Sequence, residues 1–346
     1  MATNNQVSFL FLLSRLRKAV EASAIVASII FLTGSQVFSE EAARSGQLSI
    51  VLENDVFFRT DQHYTNGVAL AWVPAGTSAP DWITRIAHWI PWFPEDGINR
   101  HGYMFGQNMY TPHDLTLVNP PLEDRPYAGW LYGTAGVAAE ADHQFDLFAI
   151  TVGVVGPASY AEQTQKFIHK LVNTDDPQGW DTQLRNELGI NASYQHSWRE
   201  LVAINFMGLG FDVTPHIGGA LGNVYTYADA GFTIRYGKNL PRDYGPPRVQ
   251  PGVLGSIFFD PTGRVTWYLF GSLEERAVAR NIFLDGNTYK DSRSVKKEPF
   301  ITDLQWGFVL TWHDYRLSFT DVFRTPEYED QKSRGHFGSI CLSMGI

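Results

Sequence analysis

The chain has 346 residues, 44% hydrophobic and 14% aromatic, with a formal net charge of −9 and one cysteine, Cys341. The negative balance argues against a nucleic-acid binder, which presents a basic face. A single cysteine excludes an internal disulfide framework and a cysteine zinc cluster, and no apolar run of about 18 residues follows the N-terminal leader, against a helical membrane protein.

The leader comes first. Arg15, Arg17 and Lys18 precede the short apolar core AIVASIIFL (24–32), and GSQVFS supplies small residues for cleavage near Ser39. This is the plan of an export signal, too short in its apolar part to span a bilayer about 30 Å thick. Residues 1–39 are therefore expected to be a signal peptide and 40–346 the mature domain, working outside the bacterial cytoplasm.

Beyond the leader, apolar residues recur with period two, the signature of half-buried strands. Val68, Leu70 and Trp72 share one face, against Thr65, Gly67, Ala69 and Ala71 on the other. Phe148, Ile150, Val152 and Val154 oppose Ala149, Thr151 and Gly153, and Leu304, Trp306, Phe308, Leu310 and Trp312 oppose Gln305, Gly307, Val309 and Thr311. The second face is small and weakly polar rather than charged, which suits a crowded barrel interior better than the wet face of a sandwich. Trp72, Tyr110, Trp130, Tyr132, Trp267, Tyr268, Trp312 and Tyr315 fall near strand ends, as in the aromatic girdles of outer-membrane barrels.

The expected fold is an all-β, transmembrane antiparallel β-barrel of about twelve strands. The segments are 47–57, 65–74, 101–110, 126–137, 145–155, 190–199, 201–212, 224–237, 253–260, 265–275, 303–313, 315–323 and 337–346. Because bacterial barrels use even numbers, 253–260 is set aside. Two insertions, expected as short helices at the extracellular rim, interrupt the pattern: the Trp-rich stretch 79–93, and 159–172, where Ser159 is the expected N-cap. In the latter Gln165 and His169 stand at i and i+4 on one face.

Successive strands alternate direction, so connections alternate between rims. Asn54 and Asp55 end the first strand, Thr65 and Gly67 begin the second, and the insertion with Gln165 and His169 follows the fifth. All share one rim, the extracellular one if long loops face outward. There His169 can serve as general base, with Gln165 orienting its ring or a water. Asp55 can bind a hard cation, and Asn54, Thr65 and the backbone near Gly67 can supply oxygen ligands or oxyanion donors. Each also has a plainer reading: a solvated loop histidine, Asx turn chemistry at Asn54–Asp55, and a tight turn at Gly67.

LENDVFF, DQHYTNGVAL, QNMYTPHDL, DRPYAGWLY, GPASYAEQTQKFIHKLV, GWDTQL and NIFLDGNTY together resemble the characteristic blocks of the lipid A 3′-O-deacylase family, from about residue 47 to the C-terminus. The resemblance implies a twelve-stranded barrel whose outward-facing site binds Ca²⁺ and hydrolyses the 3′-linked acyloxyacyl ester of lipid A. It implies His169 as general base, with Gln165, Asn54, Thr65 and Gly67 beside it, and Asp55 and Asp175 as metal ligands. At Asp175 the family pattern carries Glu. The implied partners are lipopolysaccharide, outer-membrane lipids and the barrel assembly machinery. Basic residues expected after YTP are missing, leaving Arg125 as the nearest cation. Alternatives are another outer-membrane lipid esterase of phospholipase type, or a non-catalytic barrel. His196–Ser197 makes a poor dyad, since strand neighbours point to opposite faces.

Overall fold

The computed structural model describes residues 46–54, 63–76, 79–94, 98–141, 143–172, 176–241, 258–259 and 264–346. Thirteen antiparallel strands form one sheet: β1 (Gln47–Asn54), β2 (His63–Val73), β3 (Ile98–Thr111), β4 (Ala128–Ala141), β5 (Gln144–Val155), β6 (Glu187–Trp198), β7 (Val202–Phe206), β8 (Leu209–Gly222), β9 (Tyr225–Lys238), β10 (Thr266–Asn281), β11 (Phe300–Trp312), β12 (Tyr315–Arg324) and β13 (Gly335–Gly345). Each pairs with its sequence neighbour except at β7. There β6 pairs directly with β8, while β1 pairs with β13, so twelve strands close the ring. Closure removes the unpaired edges that a bilayer would not tolerate.

Alternation assigns the faces as the sequence suggests. Leu70, Trp72, Leu304, Trp306 and Trp312 are exposed, whereas Ala69, Ala71, Gln305 and Val309 are buried. No helix among the described residues is long and apolar enough to cross a membrane.

The interior is filled in layers. At the rim carrying the longer loops, Tyr110, Trp130, Tyr132, Tyr225 and Phe337 pack around Phe283. Phe283 is delivered by a one-turn helix, α3 (Ile282–Asp285), whose first three residues are fully buried. Arg276, Asp303 and Arg324 form ion pairs against this aromatic layer, with Arg276 over Tyr227 and Arg324 over Phe337. At the opposite mouth Phe258 and Phe259 are buried inside, with Arg100 and Arg316 over their rings at 5.7 and 5.8 Å and Gln47 bonded to the Phe259 backbone.

Four expectations change. Tyr110, Trp130, Tyr132 and Tyr268 belong to this lumen filling, while Trp72, Trp312 and Tyr315 lie on the outer surface as a girdle would. The segment 201–212 is two strands with a turn at Met207–Gly208, where both residues have positive φ (52° and 81°); the ring strand is β8. Of 253–260, only Phe258 and Phe259 are described, and they plug the lumen. Finally, helix α1 (Asp81–Ala87) follows β2 and so lies at the other rim. Its Ile83 and Ala87, with Phe93, pack on outward-facing Val137, Ala139 and Phe148.

Candidate active site

The outer rim gathers the ends of β1, β3 and β5 with the starts of β2, β4 and β6. Pairing aligns Asn54 with Asn66, Asn66 with Met109, and Met109 with Gly129, one row across four strands. Strands about 4.8 Å apart put Asn54 about 10 Å from Met109 along this row. Between Tyr64 and Asn66 the register slips by one residue, so Thr65 is the extra residue of a β-bulge and its backbone groups stand out of the ladder. Gly67 pairs with Glu53 and Asn108 in the next row. Glu53 and Asn108 are buried.

The loop after β5 turns back over this wall. Gly156, at φ 96°, starts a 3-10 turn (Pro157–Ser159), and helix α2 (Ala161–Val172) follows a left-handed Tyr160. Ser159 therefore lies one turn ahead of the helix rather than capping it. Its hydroxyl donates to the Gly156 carbonyl at 2.6 Å, and its own carbonyl accepts from Gln107 Nε2 at 2.6 Å. The helix start is pressed onto β4: a Cβ at Gly129 would sit 2.2 Å from both Ala161 Cβ and Ser159 Oγ. Only glycine permits this approach.

Helix α2 buries an unusual face. Ala161, Gln165 and His169 are buried at successive i, i+4 positions, whereas Phe167 (68%) and Leu171 (63%) are exposed. A helix bathed in water would present the opposite polarity. Here Gln165 and His169 turn to the protein, while Phe167 and Leu171 face outward beside Gln163 and Lys170. Along the helix Gln165 and His169 lie about 6 and 12 Å from Ala161. Lys166, bonded to Glu162 at 2.6 Å, has its ammonium held above the usual lysine range by that hydrogen bond.

Gln165 has a partner that sequence did not assign. Trp180 donates its indole N–H to Gln165 Oε1 at 2.7 Å. Indole is donor-only, so this bond fixes the amide orientation. The Gln165 Nε2 donor is buried and has no partner among the described residues. Trp180 packs on Tyr127 with ring centres 4.9 Å apart, and both join Met109 and Ala161 in one cluster. The loop 112–127 is tied in by Gln178 N–H to the Leu115 carbonyl and Leu184 N–H to that of Tyr127. Tyr328 donates to Asp124 at 2.7 Å; burial, then this bond, pushes its phenol well up.

The structure thus brings Gln165 and His169 together on one buried face, and places Asn54, Thr65 and Gly67 at the same rim. Asp55 and Asp175 lie outside the described residues, as does the Thr65 side chain. Arg125, the nearest cation after YTP, is fully buried, pairs with Glu327 at 3.1 Å and covers Tyr110. Ser197 points into the lumen toward Gln195, while His196 points outward to Asp146 at 2.8 Å, so they form no dyad.

Residues 24–346 match the family described as Outer membrane protein LpxR. Among solved structures, LpxR from Salmonella typhimurium is similar with a TM-score of 0.72 at 16% identity, covering 87% of this chain and all of that one. The β domain of the Bordetella autotransporter BrkA aligns at a TM-score of 0.45 and 8% identity, over 88% of this chain and all of its own. No curated protein sequence matches.

Proposed function

The chain belongs to the LpxR family of outer-membrane proteins, and from that premise we propose that it is a lipid A deacylase that hydrolyses the 3′-linked acyloxyacyl ester. The observation carrying this reading is the inverted polarity of α2, with His169 and Gln165 buried toward the wall and Phe167 and Leu171 facing outward. An ester in the outer leaflet can reach such a site sideways, its acyl chains against the apolar residues and its carbonyl at the helix–wall seam.

In this reading His169 takes a proton from water as the water oxygen attacks the ester carbonyl. The developing oxyanion is within the province of Gln165 Nε2, a buried donor whose direction Trp180 fixes. The C–O bond to the sugar then breaks, and His169 returns the proton to the departing alkoxide. The products are a free acyloxyacyl acid and a 3′-hydroxyl. Because donors act best where water is excluded, burial of Gln165 and His169 favours this assignment.

The residues fit an oxygen-ligated hard cation: Asn54 ends β1, and the bulge leaves Thr65 backbone groups out of the ladder beside it. Asn54, Asp55, Thr65 and Asp175 are the groups that would hold Ca²⁺. When bound, the ion would add positive charge at the ester oxygen. The test is a mass spectrum of lipid A from a host expressing the chain. Loss of the 3′-acyloxyacyl mass supports the reading, and an unchanged spectrum with purified protein in detergent overturns it.

A further inference from the structure

A second cluster lies inside the barrel, on the far side of the wall from α2. His216 on β8, Asp229 on β9 and Glu274 on β10 each offer one ligand atom, and these atoms lie within 4.8 Å of one another. Their placement is built into the sheet. His216 and Glu274 both pair with Gly231, one from each side, so they lean over a residue with no side chain. A Cβ at Gly231 would come within 2.7 Å of the His216 ring. Asp229 pairs with Gly218, where a Cβ would come within 2.9 Å of its carboxylate. Two glycines thus make room for the imidazole and the carboxylate.

The distances point the same way. His216 Nε2 stands 3.4 Å from Glu274 Oε2 and 4.0 Å from Asp229 Oδ1. Both exceed the usual N–H···O range of about 2.7–3.2 Å. The 3.4 Å separation matches that of two ligands sharing one ion, since bonds of about 2.1 Å in a tetrahedral site put ligand atoms about 3.4 Å apart, and Asp229 stands at the outside of such a site. The other oxygen of Glu274 faces Arg276 at 3.1 Å. From there a ladder runs through Asp303 and Arg324 to Glu327 and Arg125.

We infer that His216, Asp229 and Glu274 form an intraluminal site for one divalent transition-metal ion, separate from the rim chemistry. One imidazole and two carboxylates suit zinc-like ions; Ca²⁺ prefers six to eight oxygens. Such an ion would fasten β8, β9 and β10 together.

The test uses untagged full-length protein refolded in detergent with Co²⁺ as probe, after denaturation in chelator, because the site is enclosed. The wild type is expected to retain one equivalent of Co²⁺ after gel filtration, with visible d–d absorption. His216→Ala should lose both, and the near-isosteric Glu274→Gln should bind at least tenfold more weakly. His169→Ala, inactive as an esterase, should retain Co²⁺ as the wild type does. Folding of each variant is checked by heat-modifiable mobility, and Glu274→Gln carries the test if His216→Ala misfolds. No retained Co²⁺ in the wild type would overturn the inference in favour of a protonated His216 between two carboxylates. So would retention unaffected by both variants.

Discussion

Trp180 holds the side-chain carbonyl of Gln165 at 2.7 Å from across a loop, turning the amide N–H₂ of Gln165 away from itself. The indole reaches the helix because Gly179 before it lies against Tyr127 and the Leu117 carbonyl, where a Cβ would come within 2.5 and 2.9 Å. Trp180→Phe keeps the ring stacked on Tyr127 and removes only the donor. A buried acceptor left unmet costs about 1–3 kcal/mol. If that loss falls on the transition state, deacylation slows about fivefold to a hundredfold. Rates on folded protein, with KM separated from kcat, check this; an unchanged kcat would remove Gln165 from the proposed chemistry.

Gly129→Ala tests the seat of α2. The added methyl meets Ala161 Cβ and Ser159 Oγ, so the helix must lift off the wall. Overpacking of this kind costs about 1–3 kcal/mol, and here it falls on a loop insertion rather than on the ring of strands. The expected result is a barrel of normal heat-modifiable mobility with activity reduced at least tenfold. Wild-type activity would show that the position of α2 does not matter.

Arg125 and Glu327 join the loop before β4 to the loop before β13 across the rim. Arg125→Met takes the nearer of two cations from the buried Glu327 carboxylate, leaving Arg324 at 3.6 Å, so the cost falls below the roughly 3–5 kcal/mol of a fully broken buried pair. The midpoint of thermal unfolding in detergent should drop clearly, and Arg125→Met with Glu327→Met should recover most of it. A double variant no better than the single would contradict the pairing.

Phe258 and Phe259 close one mouth of the lumen and the Phe283 cluster the other. Replacing both Phe258 and Phe259 by alanine should destabilise by about 3–5 kcal/mol per ring. It should not open a conductive pore, because the aromatic layer at the outer rim remains. Unfolding midpoints and planar-bilayer conductance read the two effects separately.

Much of the barrel is legible in the sequence because strand faces obey strict alternation: Leu70 and Trp72 outside, Ala69 and Ala71 inside. Strand-end aromatics are less legible. Trp72 and Tyr110 look alike in sequence, yet one faces outward and the other stacks on Phe283 at 4.0 Å. The split of 201–212 was hidden because Met207, not glycine or asparagine, takes the left-handed turn position. At the site, the i, i+4 spacing exposes Gln165 and His169 as a pair. Trp180 and Gln107 could not be assigned roles, since their partners Gln165 and Ser159 are met only through the folded loop. The motif containing Trp180 stood out, but its donor role is tertiary.

In the proposed mechanism His169 drives hydrolysis of lipid A with a cation at the rim. The direct measurement is acyloxyacyl release from lipid A by purified protein in detergent, for wild type and His169→Ala, each with Ca²⁺ and with chelator. Release is expected only from the wild type with Ca²⁺, and none from a His169→Ala barrel of normal mobility. Release by the variant, or release unaffected by chelator, would contradict it.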